Sequence, residues 1–142
     1  MIYTEMTKMA LKLCFTAHKD QVDKTGLPYV FHPFHLAEEM DDELSSTCAL
    51  LHDVIEDTDY TPDDLAKMGF PSEVLEVLAL LTHDTDVPYM DYVRGIATHP
   101  VAKKVKLADL KHNSDLTRLD TIDEAAIKRN EKYAEAIRIL TE

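Results

Sequence analysis

The stretch Ala49-Leu50-Leu51-His52-Asp53-Val54-Ile55-Glu56-Asp57 places four titratable side chains in a run that is otherwise apolar. The apolar residues on all sides of this run are typical of a helix in the centre of a core. Burying charged groups is costly unless a partner compensates for them. A divalent metal ion compensates well, because imidazole and carboxylate groups are both good ligands. The stretch therefore predicts a central helix that carries metal ligands.

Helical patterns continue on both sides of this stretch. Apolar residues recur at helical spacing, and capping sequences such as Thr61-Pro62 and Thr121-Ile122-Asp123-Glu124 mark helix starts. No alternating pattern of the length of a useful strand occurs. The predicted helices cover residues 3–22, 32–40, 42–55, 61–69, 72–81, 88–97, 100–113 and 121–140. We expect an all-α bundle of about seven or eight helices that forms one domain over residues 1–142.

The charge and hydropathy of the chain limit its partners. The formal net charge is −12, whereas long nucleic acids are bound largely through Lys and Arg, so we expect no such partner. A small phosphorylated ligand remains compatible, because a metal and a few cations can reverse the field locally. We expect no membrane span and no signal peptide. Cys14 and Cys48 lie among apolar neighbours and are interpreted as reduced thiols of a cytoplasmic protein.

Four residues are candidate ligands of one metal ion: His32, His52, Asp53 and Asp109. Two imidazoles and two carboxylates suit Mn²⁺, Fe²⁺, Co²⁺ or Zn²⁺. Adjacent residues on a helix, such as His52 and Asp53, point about 100° apart. The two can still share one ion if His32 and Asp109 arrive from flanking helices. The order His…His-Asp…Asp is the signature of the HD metal-dependent phosphohydrolases, which the chain resembles in this respect.

The resemblance is closer to one branch of that superfamily, the hydrolase domain of the RelA/SpoT alarmone enzymes and their small stand-alone relatives. It covers roughly Ala10 to Leu119 and implies an HD-domain helical bundle. The segments that carry it follow one another in the right order: Ala17-His18-Lys19-Asp20-Gln21, Thr25-Gly26-Leu27-Pro28-Tyr29, His32-Pro33, Ala49 to Thr58, and Val105 to Asn113.

The resemblance also implies the roles of individual residues. The four candidate ligands are expected to bind Mn²⁺, and Glu56 and Asp57 to assist the attacking water. Lys24, Tyr29 and Asn113 match positions of the nucleotide pocket. The family reaction removes pyrophosphate from the 3′ position of guanosine tetra- or pentaphosphate, so the implied substrate is a small nucleotide.

The spacing of the acids supports this chemistry independently. Glu56 follows His52 by four residues, and Asp57 follows Asp53 by four. On a helix, each acid therefore lies one turn beyond a candidate ligand. A general base must lie within reach of the water whose proton it takes.

Two positions depart from the pattern of the alarmone hydrolases. Asp23 and Leu110 stand where an arginine is usual, so two cationic contacts to the nucleotide are missing. The sequence offers Arg94, Lys106 and Lys111 as cations that could replace them. We therefore expect weaker alarmone binding than the family pattern implies.

Other functions remain open at this stage. The alternatives are an HD phosphatase of another nucleotide or phosphorylated cofactor, a non-catalytic metal- or nucleotide-binding module, and a di-iron oxygenase. The last needs extra ligands, for which only His83 and His99 are available. His18 is interpreted as a hydrogen-bonding residue near the site. The sequence leaves the oligomeric state open.

Overall fold

Nine α-helices follow one another along the chain, and the computed structural model describes residues 1–142. Eight of them have at least seven residues, which confirms the predicted all-α bundle. The only β-pairing is an isolated bridge between Val22 and Pro28. The helices are α1 Glu5–His18, α2 Phe31–Glu38, α3 Glu43–Leu51, α4 Val54–Asp57, α5 Pro62–Met68, α6 Ser72–Leu81, α7 Tyr89–Ile96, α8 Pro100–Asn113 and α9 Glu124–Thr141, with a 3₁₀ helix at Leu116–Arg118.

Helix α3 lies in the centre of the bundle, as its apolar sequence predicts. Every residue from Ser45 to Leu51 is buried. The helix begins after Asp42, whose side chain accepts a hydrogen bond from the backbone N–H of Ser45 at 2.7 Å. Helices α1, α2, α6 and α8 surround it. The central helix therefore reaches the neighbours that carry the other candidate site residues.

The predicted helix over residues 42–55 is interrupted, which corrects the expectation of one long helix through His52. Helix α3 ends at Leu51, and α4 restarts at Val54. Between them, Asp53 adopts φ −107° and ψ 0°, outside the helical range. Aspartate favours such positions because its short carboxylate competes for nearby hydrogen bonds. The break turns Asp53 away from the direction that a continuous helix would give it.

The first and last helices also begin or end differently from the prediction. Helix α1 begins after Thr4, which forms a capping box with Thr7, and it ends at His18 rather than Val22. Helix α9 begins after Asp123, whose carboxylate accepts from the backbone N–H of Ala126 at 2.8 Å. Thr121 is therefore not the cap. None of the helices combines the length and the hydropathy that a bilayer crossing requires.

Candidate metal centre and nucleotide pocket

Three helical segments bring the candidate metal ligands together. His32 lies in the first turn of α2, His52 and Asp53 lie at the break between α3 and α4, and Asp109 lies on α8. One ligand atom from each of His32, His52 and Asp109 lies within 4.8 Å of the others. All three side chains are buried. The packing of α2 and α8 on α3 thus brings three of the four candidate ligands, His32, His52 and Asp109, to one place.

The side-chain nitrogen and oxygen atoms of these residues lie close enough together to bind one ion between them. Nε2 of His32 lies 2.8 Å from Oδ1 of Asp109. Nε2 of His52 lies 3.1 Å from Oδ2 of Asp53 and 3.6 Å from Oδ1 of Asp109. Asp53 reaches the cluster through His52, and its Oδ2 also accepts a hydrogen bond from the Tyr29 hydroxyl.

His52 provides the test of whether these residues fit a metal ion. Its Nδ1 donates to the backbone carbonyl of Ala49 at 2.7 Å, which fixes the ring. Its Nε2 is buried and forms no hydrogen bond of good geometry, although the Asp53 and Asp109 carboxylates lie 3.1 and 3.6 Å away. Burial opposes protonation of His52, but Asp53 and Asp109 raise its pKa well above the usual value. The two carboxylates thus attract positive charge to this nitrogen, and the donor set could bind a divalent ion.

Asp109 is held by two further residues of its own helix. Lys106 donates to Oδ2 at 2.9 Å, and Asn113 donates to Oδ1 at 3.0 Å. Burial disfavours the charged carboxylate, but Lys106 and the two histidines hold its pKa well below the usual range. The Lys106 ammonium lies over the rings of Tyr89 and Tyr92. Asp109 is therefore an ionised carboxylate of fixed orientation.

His112 supports His32 from the side away from the cluster. The two Nδ1 atoms lie 2.6 Å apart, so one of them carries the shared proton. Burial and the neighbouring His32 lower the pKa of His112 to about 4, which keeps it neutral. A neutral His112 can accept the Nδ1 proton of His32 and leave Nε2 of His32 free as a ligand. His112 is therefore a hydrogen-bonding residue that orients a candidate ligand.

Glu56 and Asp57 form an acidic group beside the cluster, with oxygens that lie within 4.8 Å of one another and of Asp53. One oxygen of Glu56 accepts from the backbone N–H of His83 at 2.8 Å. Burial, then Asp53 and Glu56, raise the pKa of Asp57 to about 6. Asp57 can therefore exchange a proton near neutral pH, whereas Glu56 is tied to the loop after α6.

A second hydrogen-bond chain supports the acidic group from α1. The buried His18 contacts Oε1 of Gln21 through Nδ1 at 2.8 Å. The side chain of Gln21 donates to the backbone carbonyl of Asp57 at 3.2 Å. His18 is thus the hydrogen-bonding residue that its sequence position predicts.

A cavity of about 290 Å³ adjoins the cluster. It contacts the cluster through His32, through Tyr29, which donates to Asp53, and through Asn113, which donates to Asp109. The residues that line it include all three predicted nucleotide-pocket positions, and its other polar lining residues are Asp23, Thr25, Asp115, Arg118, Arg129, Asn130 and Tyr133. Its size is near the lower end of the range for small-molecule sites.

Comparison with known proteins relates the chain to a group of pyrophosphohydrolases. The guanosine-3′,5′-bis(diphosphate) 3′-pyrophosphohydrolase MESH1 of Mus musculus is 37% identical over 120 residues, 73% of this chain and 66% of that protein. The Homo sapiens MESH1 is 37% identical over 108 residues, 68% of this chain and 60% of that protein. The chain belongs to the MESH1/SpoT-type family. Its matched region spans about two thirds or less of the length of these relatives.

Two further comparisons agree with membership of the MESH1/SpoT-type family. A guanosine-3′,5′-bis(diphosphate) 3′-pyrophosphohydrolase of Aquifex aeolicus is 29% identical over 142 residues, 92% of this chain but 19% of that protein. The solved structure of a metazoan ortholog of SpoT that hydrolyses ppGpp superposes with a TM-score of 0.80 over 99% of this chain and 88% of that chain, at 24% identity. That likeness shows a shared fold. No protein-family model matches the chain.

Several residues that the sequence offered for the site lie elsewhere in this member of the MESH1/SpoT-type family. His99 caps α8, where its Nδ1 accepts from the backbone N–H of Val101, and the His83 ring contacts the Val87 carbonyl. Neither joins the His/Asp cluster. Arg94 forms an exposed pair with Asp91.

Two cations of the pocket were not predicted from the sequence. Arg118 and Arg129 line the cavity beside the predicted Lys24, whereas Arg94 and Lys111 do not. Tyr133 of α9 also lines the cavity. The spacing of Ala126, Arg129, Asn130 and Tyr133 on one face of α9 was the signal that could have indicated this wall.

Proposed function

We propose that the chain is a metal-dependent phosphohydrolase that removes pyrophosphate from the 3′ position of guanosine 3′,5′-bis(diphosphate). The observation that carries the proposal is the cluster of three buried ligand atoms, from His32, His52 and Asp109, beside a cavity of about 290 Å³ that His32 also lines. The names of the MESH1 relatives support the choice of substrate.

In this proposal His32, His52, Asp53 and Asp109 hold the metal, and Mn²⁺ is our choice among the ions that suit two imidazoles and two carboxylates. A bound divalent ion would polarise the phosphoryl group and acidify water. The proposal is supported by the carboxylates that surround the buried Nε2 of His52 and by the hydrogen bonds that fix the rings of His32 and His52 through their Nδ1 atoms.

Asp57 takes the proton of the attacking water in the proposed reaction, and Glu56 holds the segment that carries it. The oxygen of the water bonds to the phosphorus next to the ribose, the bond from that phosphorus to the 3′ oxygen breaks, and the 3′ oxygen gains a proton as pyrophosphate leaves. A raised pKa of about 6 suits Asp57 to this role, because a general base is most effective near the working pH.

The cavity is proposed to hold the rest of the nucleotide. Lys24 and Arg129 both line the cavity, and burial and the charge of Arg129 lower the pKa of the Lys24 ammonium, whereas Asp123 raises it. Such a pair suits a phosphate group that is not cleaved. Asn113 and Tyr29 line the cavity on the side of the metal cluster.

The decisive experiment is an assay of the purified chain with Mn²⁺ against a panel of nucleotides, with pyrophosphate and orthophosphate measured separately. We expect pyrophosphate from guanosine 3′,5′-bis(diphosphate). The Asp53→Ala variant, which removes one ligand and one charge, provides the inactive control. Orthophosphate from another nucleotide would favour the alternative, a nucleotide phosphatase. Absence of any release, with metal bound, would overturn the proposal.

A further inference from the structure

Asp23 closes the loop that forms one wall of the cavity. Its Oδ1 accepts from the backbone N–H of Thr25 at 2.8 Å, from the Thr25 hydroxyl at 2.6 Å and from the backbone N–H of Leu27 at 3.1 Å. Gly26 adopts the positive φ of 83° that this tight turn needs. Although burial opposes ionisation, these hydrogen bonds and Arg118 lower the pKa of Asp23, which remains charged. A carboxylate is therefore fixed at the cavity wall.

The second oxygen of Asp23 faces Arg118 across the cavity wall. Nη2 of Arg118 lies 3.5 Å from Oδ2 of Asp23, and Nη1 donates to the backbone carbonyl of His112 at 2.8 Å. The side chains of the pair are only 16% and 23% exposed, so solvent screens them less than a surface pair. Arg118 thus connects the loop that carries Lys24 with the end of α8. A guanidinium has five N–H donors, and these contacts leave some of them for a ligand.

The basic side chains of the cavity differ in whether a carboxylate is paired with them. Lys24 and Arg129 both line the cavity and form no salt bridge, although the more distant Asp123 carboxylate raises the pKa of Lys24 against the effects of burial and Arg129. Arg118 is partly neutralised by Asp23. A second carboxylate, that of Asp115, is exposed and accepts from the backbone N–H of Thr117 at 3.0 Å. Hydrogen bonds to Thr117 and, more weakly, the charge of Arg118 lower its pKa, but no salt bridge joins it to Arg118.

We propose that the Asp23–Arg118 pair sets the charge selectivity of the cavity. By occupying Arg118, Asp23 lowers the attraction of the cavity for nucleotides that carry two diphosphate groups, relative to nucleotides with fewer phosphate charges. The pair therefore makes Asp23 a specificity-determining residue. This inference rests on the proposed function, since it concerns the nucleotide that the same cavity binds.

The test is a comparison of wild type with Asp23→Asn, which keeps an oxygen for the loop hydrogen bonds but removes the charge. Calorimetry on the full chain without added Mn²⁺, so that the nucleotide stays intact, gives the affinities for guanosine 3′,5′-bis(diphosphate) and guanosine 5′-monophosphate. We expect Asp23→Asn to bind the bis(diphosphate) about tenfold more tightly, the size of a partly screened charge interaction. The affinity for the monophosphate should change by less than about threefold, because it carries fewer charges.

The matched control is Asp115→Asn, which removes the same charge from the same cavity at an exposed position outside the pair. It should alter the ratio of the affinities for the bis(diphosphate) and the monophosphate by less than about threefold, because exposed charges are screened. Arg118→Met should change this ratio in favour of the monophosphate. An unchanged preference in Asp23→Asn, or equal loss of affinity for both nucleotides, would overturn the inference and leave the proposed function standing. Failure of the wild type to bind either nucleotide in calorimetry, together with no pyrophosphate release when Mn²⁺ is bound, would overturn both.

Discussion

At the scale of single residues, His52 couples metal binding to proton release. Asp53 and Asp109 raise its pKa well above the usual value, although burial opposes this, and the raised pKa favours the protonated imidazole while no ion is bound. A ligand histidine must be neutral, and metal binding therefore releases a proton. We predict that Mn²⁺ binding at pH 7 releases about one proton. Calorimetric titration in buffers of different ionisation enthalpy measures this number, and an enthalpy independent of the buffer would contradict it.

The two neighbouring acids are predicted to differ in their effect on turnover. Asp57→Asn should bind Mn²⁺ and lose about 10²–10⁴-fold in kcat, the usual contribution of a general base. Glu56→Gln keeps an oxygen that can accept from the His83 N–H, so its loss should be smaller, about tenfold or less. The acidic limb of the pH–rate profile should lie at or below about pH 6, with the rate rising as Asp57 loses its proton. Equal losses in the two variants would contradict this division of roles.

Some residues of the site could be predicted from the sequence and others could not, for a physical reason. His52 and Asp53 stand out because four charged groups in an apolar run need compensation. Arg118 and Arg129 carry no such signal, since a single arginine outside an apolar run is usually solvated. The Asp23–Arg118 pair depends on where the loop after α1 and the 3₁₀ helix meet, and no spacing along the chain predicts that meeting.

At the scale of helices and loops, the start of α9 offers a direct test of the corrected cap. Asp123 accepts from the Ala126 N–H, whereas Thr121 lies outside the helix. We predict that Asp123→Ala lowers the free energy of unfolding by about 0.5–2 kcal/mol, the usual cost of losing a cap. The matched Thr121→Ala should stay within about 0.5 kcal/mol of wild type. Urea unfolding measures both, and the reverse order would restore Thr121 as the cap.

Helix bounds were predictable where local signals decide them. Helix α6 runs from Ser72 to Leu81 and α8 from Pro100 to Asn113, as the sequence predicts. The break after Leu51 was not predictable, because the apolar pattern continues through it to Ile55. There the side chain of Asp53 contacts His52 and the Tyr29 hydroxyl, and these tertiary contacts accompany the loss of helical geometry.

At the scale of the whole molecule, a bound metal is predicted to stabilise the fold. Its ligands come from α2, from the α3–α4 break and from α8, so unfolding separates them. An ion present at 100 times its dissociation constant adds about 2.7 kcal/mol. For a chain of this size, we expect Mn²⁺ to raise Tm by about 5–10 °C. Differential scanning calorimetry with and without Mn²⁺ measures the shift, and Asp53→Ala should show none; an equal shift in that variant would place the ion elsewhere.

The hydrogen bond from the Tyr29 hydroxyl to Asp53 gives the site an optical reporter. The chain has six tyrosines and no tryptophan, so tyrosine dominates its near-ultraviolet absorption and emission. Deprotonation of Tyr29 is strongly disfavoured, because burial and the nearby carboxylates raise its pKa. An ion that takes over the Oδ2 lone pairs of Asp53 changes the strength of the phenol hydrogen bond without ionising the ring. Occupancy of the centre can therefore be followed as a tyrosine difference spectrum in the unlabelled protein, with Tyr29→Phe as the silent reference.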